Sequence, residues 1–313
     1  MNNFRVSCIT GLIAALWLTA GPAQAQLGRT YVSIGGNNAN SCNLANPCKS
    51  LQTAFNTTNA GGEIDCLDSG DFGSVLINKS ITIDCAGSLA GDSSTPFVFQ
   101  INAPGALVRL RNLSMNGLNG FGAVGVEILS AASVFVENCT ILGFRISPAV
   151  GIKFTPSASA RLTVSDSVVS SNTTGILLDP AAGALGIVMV QRTTIEGNSA
   201  EGIKATGAGG GGVFVNVRDS ISTHNGSHGF TAETQPGGSN VIMRIDRSDS
   251  SYNSGDGVRA SGSPTVFLGF TTVMANDGTG LSRQNGGTIF SYGTNTVLFN
   301  AADGTPTAVI GMQ

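Results

Sequence analysis

Both histidines of the chain, His224 and His228, fall inside one octapeptide, THNGSHGF at 223–230, packed around Asn225 and two glycines. Imidazole is the side chain best suited to moving protons near neutral pH, so a close pair invites a general acid–base reading. That chemistry also needs a carboxylate to orient the ring and a partner within hydrogen-bond reach, and local spacing supplies neither. Cys139 is a second candidate. A reactive thiol needs an electropositive, exposed niche, which the sequence around it does not offer, so it reads as an inert packed thiol.

Paired carboxylates are the third possibility. Ile64-Asp65-Cys66 and Ile83-Asp84-Cys85 repeat one tripeptide 19 residues apart. If the two segments stack, Asp65 lies beside Asp84 with Glu63 on the same side and Asp68 and Asp71 in the following turn. Carboxylates so close repel, and a bound Ca²⁺ relieves the repulsion. Glu63, Asp65 and Asp84 are therefore the candidate calcium ligands, set against a plain solvated acidic turn, and no other cofactor is expected.

Whether any of these groups meet depends on the elements that hold them. From Gly125 the chain repeats a short signature: GVEI at 125, GIKF at 151, GILL at 175, GIKA at 202, GFTA at 229, GVRA at 257 and GLSR at 280, spaced 23 to 28 residues apart. Asparagines recur just ahead of the later glycines, at Asn172, Asn198, Asn225, Asn253, Asn276 and Asn300. Between these turns run segments of period-two alternation, among them SVFVENC, RLTVSDS, IVMVQRT and VFVNVRDS, which read as strands. A unit of about 25 residues cannot bury its own apolar face and must stack on its neighbours. The fold class is all-β, a parallel β-helix whose rungs lie about 4.8 Å apart. Leucine-rich repeats and propeller blades fit the spacing less well.

That architecture predicts valine and isoleucine pointing inward, stacked Ser, Thr and Asn outward, and glycine and asparagine at turns with positive φ. Aligning Val136, Val164, Val190, Val217 and Ile245 puts Asn138, Asp166, Arg192, Asp219 and Arg247 in one column, where alternating charges predict ion pairs between rungs. Cys139 then shares a column of small residues with Ser167, Thr193, Ser220 and Ser248. The six asparagines, and with them Asn225, are structural turn residues. His224 stands where other copies carry Glu196 or Tyr252, and His228 where they carry Glu201 or Asp256, so both read as decorations whose removal leaves the fold nearly unchanged.

The ends carry their own signals. Residues 1–25 have a positive start at Arg5, a short apolar run and Ala23-Gln24-Ala25, the pattern of a signal peptide cleaved after Ala25. Gly21-Pro22 breaks the run before it reaches spanning length, and no later segment suggests a membrane span. Export makes disulfides the expected state of cysteine. Cys42 and Cys48 flank a short loop, and in-register stacking brings Cys66 and Cys85 to bridging distance, leaving Cys139 over. Residues 26–61 form an N-terminal cap segment in which Ser50 caps a short helix over 51–57, and residues 62–313 form the solenoid. A net charge of −3 with scattered Lys and Arg argues against a nucleic-acid partner.

The segment PCKSLQTAF…GGEIDCLDSGDFGSVLINKSITIDC, with the turn repeats that follow, resembles the exported bacterial right-handed parallel β-helix proteins of the pectin-lyase-like superfold. The resemblance spans essentially the whole chain after the leader and implies a fold rather than an activity, because the superfold hosts lyases, hydrolases, epimerases and adhesins. The Arg-x-Pro-x-x-Arg stretch of its lyases, the adjacent aspartates and Gly-His-Gly of its hydrolases and the Asp-Pro-His-Gly of its epimerases do not occur here. The resulting expectation is an exported β-helix without recognisable catalytic residues, structural, adhesive or weakly glycan-binding, with a polysaccharide or cell-surface partner. The alternative is a carbohydrate-active enzyme of the same superfold, a polysaccharide lyase or glycoside hydrolase.

Overall fold

A computed structural model describes residues 27–89, 96–117, 123–146, 148–235 and 239–311. The proposed leader lies outside the described residues. Among the described residues the chain is a parallel β-solenoid with one short helix. Each regular rung contributes three strands, as in Ala160–Ser165, Val168–Ser170 and Thr174–Leu178. Among the described residues, first and second strands pair into a sheet of 19 strands, and third strands into one of 10.

The inward column runs as the alternation requires. Leu110, Val136, Val164, Val190, Val217, Ile245 and Leu268 are consecutive ladder partners, and all are fully buried. Each side chain withdrawn from water contributes roughly 1.5–3 kcal/mol, but only against the rung above and below, so stability accumulates as contacts between neighbours.

Two corners shape every rung. At the first, one residue in the left-handed region turns the chain: Asn138, Asp166, Arg192, Asp219 and Arg247 all have φ between 45° and 53°. The expected inter-rung pairs form there, Arg192 forking both carboxylate oxygens of Asp166 at 2.6 and 2.8 Å and Arg247 donating to Asp219 at 2.9 Å. Both pairs are exposed, and such pairs stabilise by at most about 1 kcal/mol.

At the second corner the sequence reading needs correcting. The left-handed residue is not the asparagine but the one before it: Ser171, His224, Tyr252, Ala275 and Phe299, with φ between 53° and 60°. Asn172, Asn198, Asn225, Asn253, Asn276 and Asn300 turn inward instead and form a ladder, in which each Nδ2 donates to the Oδ1 of the next at 2.8–3.1 Å. The same Oδ1 accepts the backbone N–H of the asparagine one rung earlier. The repeated glycines are not there for positive φ either. A Cβ on Gly175 would lie 2.8 Å from Ile195 Cγ2 and 3.0 Å from Asn198 Nδ2, so the position has no room for a side chain.

At the N-terminal end the helix Leu51–Thr57 buries Leu51, Ala54 and Phe55, and the Ser50 hydroxyl accepts the N–H of Thr53 as its cap. The strand Leu27–Val32 pairs in parallel with Thr58–Cys66, so the segment read as a cap also supplies a strand of the solenoid. Cys42 is bridged to Cys48 and Cys66 to Cys85, each pair 4.6 Å apart at Cα.

Candidate functional site

The carboxylates expected to hold calcium are engaged otherwise. Asp65 and Asp84 are ladder partners, but Arg29, from the strand ahead of the helix, reaches across to Glu63 and Asp65. Its Nη2 lies 2.8 Å from Glu63 and its Nε 2.7 Å from Asp65. Asp84 accepts from Asn112 Nδ2 at 2.6 Å, and Asp68 from Ser33 Oγ at 2.6 Å and the N–H of Ile34 at 2.8 Å. Burial, with Glu63 adding and Arg29 opposing, pushes Asp65 up to about 6. The positive charge that relieves the repulsion of Glu63 and Asp65 is a guanidinium, while Asp84 is held by Asn112. Among the described residues no group of three His, Cys, Asp or Glu side chains is arranged to hold a metal.

The histidines part company. His224 is exposed at the second corner, aligned with Gly197 rather than Glu196, its ring stacked on Tyr252 at 5.3 Å between centroids. His228 stands a turn later, where its Nδ1 accepts the N–H of Asp256 at 2.8 Å and its Nε2 lies 2.7 Å from the Arg259 guanidinium. Burial lowers its pKa; Asp256 pulls upward and Arg259 downward. A carboxylate does therefore stand beside one ring, which the sequence did not reveal, and His228 is a tied member of the lattice rather than a free decoration.

Cys139 is buried and unbridged. Burial pushes its thiol up to about 12, and Sγ faces the carbonyl oxygens of Glu137 and Leu110. The chain lacking residues 1–25 is expected to show no thiol to Ellman's reagent while folded, and one on unfolding with disulfides intact. Rapid labelling of the native protein contradicts an inert packed thiol.

The surface with ligand-binding character is one that local motifs did not show. On the 19-stranded sheet several outward positions of the first strands carry apolar side chains, where the sequence reading placed Ser, Thr and Asn. One column runs Arg161, Ile187, Phe214, Ile242 and the next Thr163, Met189, Asn216, Arg244. Ile187 is 41% and Phe214 42% exposed. Farther along, Phe267 and Phe290 stack at 5.5 Å, and toward the N-terminus the Arg109 guanidinium sits 4.7 Å over the ring of Phe135. Between these aromatic pairs lies a cleft of about 450 Å³ with Ile187, Met189, Phe214 and Ile242 on its walls.

Its electrostatics are one-sided. Arg161 makes no ion pair among the described residues, and Arg244 has a carboxylate, that of Asp246, only at 4.0 Å. Three rung spacings separate them, about 14 Å along the axis. Between them the Asn216 amide oxygen is buried without a hydrogen-bond partner. The cleft thus offers an apolar strip flanked by two guanidinium groups, one without an ion pair among the described residues and one whose carboxylate stands at 4.0 Å. The signal was present in the sequence as phenylalanine on the wrong parity, in VFVNVRDS and VFLGFT, once the inward column is fixed.

Comparison with known proteins agrees with this architecture. The sequence finds no significant match among curated proteins. Among solved structures, the pectate lyase Pel9A superposes with a TM-score of 0.54 at 14% identity, covering 91% of this chain and 78% of that one. The A-module of the mannuronan C-5 epimerase AlgE4 of Azotobacter vinelandii gives 0.53 at 12% identity, covering 81% and 91%. The periplasmic alginate epimerase AlgG gives 0.50 at 12%, covering 81% and 72%. At such identities the likeness is one of fold. Residues 68–241, more than half of the sequence, match the family model described as the right-handed beta helix region, and the chain belongs to that family.

Proposed function

We propose that this is an exported, non-catalytic β-helix that binds an acidic polysaccharide along the outer face of its 19-stranded sheet. The observation that carries the reading is the apolar cleft with Arg161 and Arg244 at either end, neither of them held in a close ion pair. Sugar rings present apolar faces to aliphatic and aromatic side chains, and guanidinium groups pair with carboxylates in a planar fork. Pectate, mannuronan and alginate, named for the three structural neighbours, are polymers of this chemistry. The cleft is lined by no carboxylate, imidazole, amine or phenol among the described residues, and guanidinium stays protonated in proteins, so these groups suit holding a polymer rather than cleaving it.

Affinity electrophoresis in gels containing polygalacturonate, alginate or neutral dextran tests this. Retention by an acidic polymer is expected, weakening as salt screens the charges. Reversing both arginines, Arg161→Glu with Arg244→Glu, is expected to weaken it at least tenfold, and Phe214→Ala to weaken it without altering the salt dependence. Equal retention in dextran, or an unaffected double variant, rejects the proposal. Release of reducing ends or unsaturated uronates during incubation supports the enzyme alternative instead.

A further inference from the structure

On another face of the solenoid, the 10-stranded sheet carries a second cleft, of about 400 Å³. Its floor is apolar where Leu177, an outward residue between Lys153 and Lys204 in the ladder, lies beside Ala149 and Val150. Its polar side is built from consecutive rungs. Lys204 stands between two carboxylates, its Nζ 3.4 Å from Glu201 Oε1 and 3.3 Å from Glu233 Oε2. Charge-assisted contacts of this kind normally close to about 2.7–2.9 Å, so neither carboxylate is saturated by the ammonium. Glu233 is held from its other oxygen by Gln235 Nε2 at 3.0 Å. Burial alone would lower the Lys204 pKa, but Glu201 and Glu233 outweigh it and the net shift is upward, so the ammonium stays charged.

We infer that this cleft is a binding site for a single neutral sugar unit, separate from the polymer-binding face. A volume of 400 Å³ is of the size that encloses a small ligand. Leu177 offers an apolar face against which a pyranose ring can lie. Glu201 and Glu233 have lone pairs to accept from vicinal hydroxyls, and Lys204 donates between them. Two carboxylates against one ammonium leave the site net negative, which repels a uronate carboxylate and suits uncharged hydroxyl donors. The two faces therefore select opposite ligand charges: guanidinium groups on one for an acidic chain, carboxylates on the other for a neutral ring.

Saturation-transfer NMR and calorimetry on the chain lacking residues 1–25 test the inference, using the methyl glycosides of glucose, galactose, mannose and N-acetylglucosamine beside galacturonic and mannuronic acids. Saturable binding of at least one neutral glycoside is expected, at least tenfold tighter than of either acid. Glu233→Ala is expected to weaken it at least tenfold. Leu177→Arg, at a part-buried position between Lys153 and Lys204, is expected to abolish it while the circular dichroism spectrum and retention by acidic polymer stay unchanged. No saturable binding of any neutral glycoside, tighter binding of the acids, or indifference to both substitutions overturns it. Loss of polymer retention through Arg161 and Arg244 leaves these measurements unaffected, so failures of the two proposals are distinguishable.

Discussion

Replacing Asn225 by alanine is expected to cost about 3–5 kcal/mol, although the residue touches no ligand and carries no charge. Asn225 is fully buried. Its Oδ1 accepts from both the N–H and the Nδ2 of Asn198, at 3.2 and 2.9 Å, and its Nδ2 donates to Asn253 at 2.9 Å. Alanine removes these bonds, together with those from Nδ2 to the Ser222 hydroxyl at 3.2 Å and the Ile195 carbonyl at 3.4 Å, and leaves two donors of Asn198 in a dry corner, each costing about 1–3 kcal/mol to strand. Asn225→Asp separates polarity from volume: the shape is kept, but a carboxylate oxygen now faces Asn253 Oδ1, and a loss at least as large is expected at neutral pH. His224→Ala, one residue earlier and exposed, is the control and should move stability by no more than about 0.5 kcal/mol. Urea unfolding at 25 °C followed by circular dichroism measures all three. A loss below about 1 kcal/mol for Asn225→Ala removes the ladder from the account of what holds the rungs in register.

The register was legible in the sequence, and much follows from it. Period-two alternation fixed the inward column from Val136 to Ile245, and two positions onward it brought Asp166 to Arg192 and Asp219 to Arg247. What the sequence hid was the cause of each recurrence. Glycine and asparagine repeat in turns for two different reasons, left-handed backbone and lack of space, and a period alone does not separate them. Here the left-handed positions accept His224, Tyr252 and Phe299, while the glycines answer to close packing and the asparagines to their ladder of hydrogen bonds. The faces proposed for binding were hidden for a related reason. Arg161 and Arg244 are 83 positions apart in sequence and three rungs apart in space. Glu233 likewise joins Glu201 and Lys204 only through the pairing of Lys204 with Thr231, two residues before Glu233. Arg29 could not be placed at all, because its strand lies ahead of the recognisable repeats.

The two corner columns are coupled, and the coupling sets the second large effect. Gly229→Ala is expected to destabilise by about 3–4 kcal/mol, above the usual 1–3 kcal/mol of overpacking because part of the obstruction is backbone. An added Cβ would collide with Ser250 Oγ and lie 2.8 Å from both Asn253 Nδ2 and the carbonyl oxygen of Gly257. Ser250 cannot simply swing aside, since its hydroxyl donates to that same carbonyl at 2.8 Å. The new methyl therefore presses on the asparagine ladder and on the next rung's backbone together. Gly73→Ala is the contrast: φ is +75°, but nothing lies within 4 Å of the added Cβ, so only the left-handed penalty of about 1–2 kcal/mol applies. Pairing Gly229→Ala with Ser250→Ala removes the nearest obstacle and keeps the backbone one. The double variant is expected to recover part of the loss, beyond what the two single changes predict by addition. Strict additivity, or a Gly229→Ala cost no greater than that of Gly73→Ala, means that conformational freedom rather than space keeps glycine at this corner.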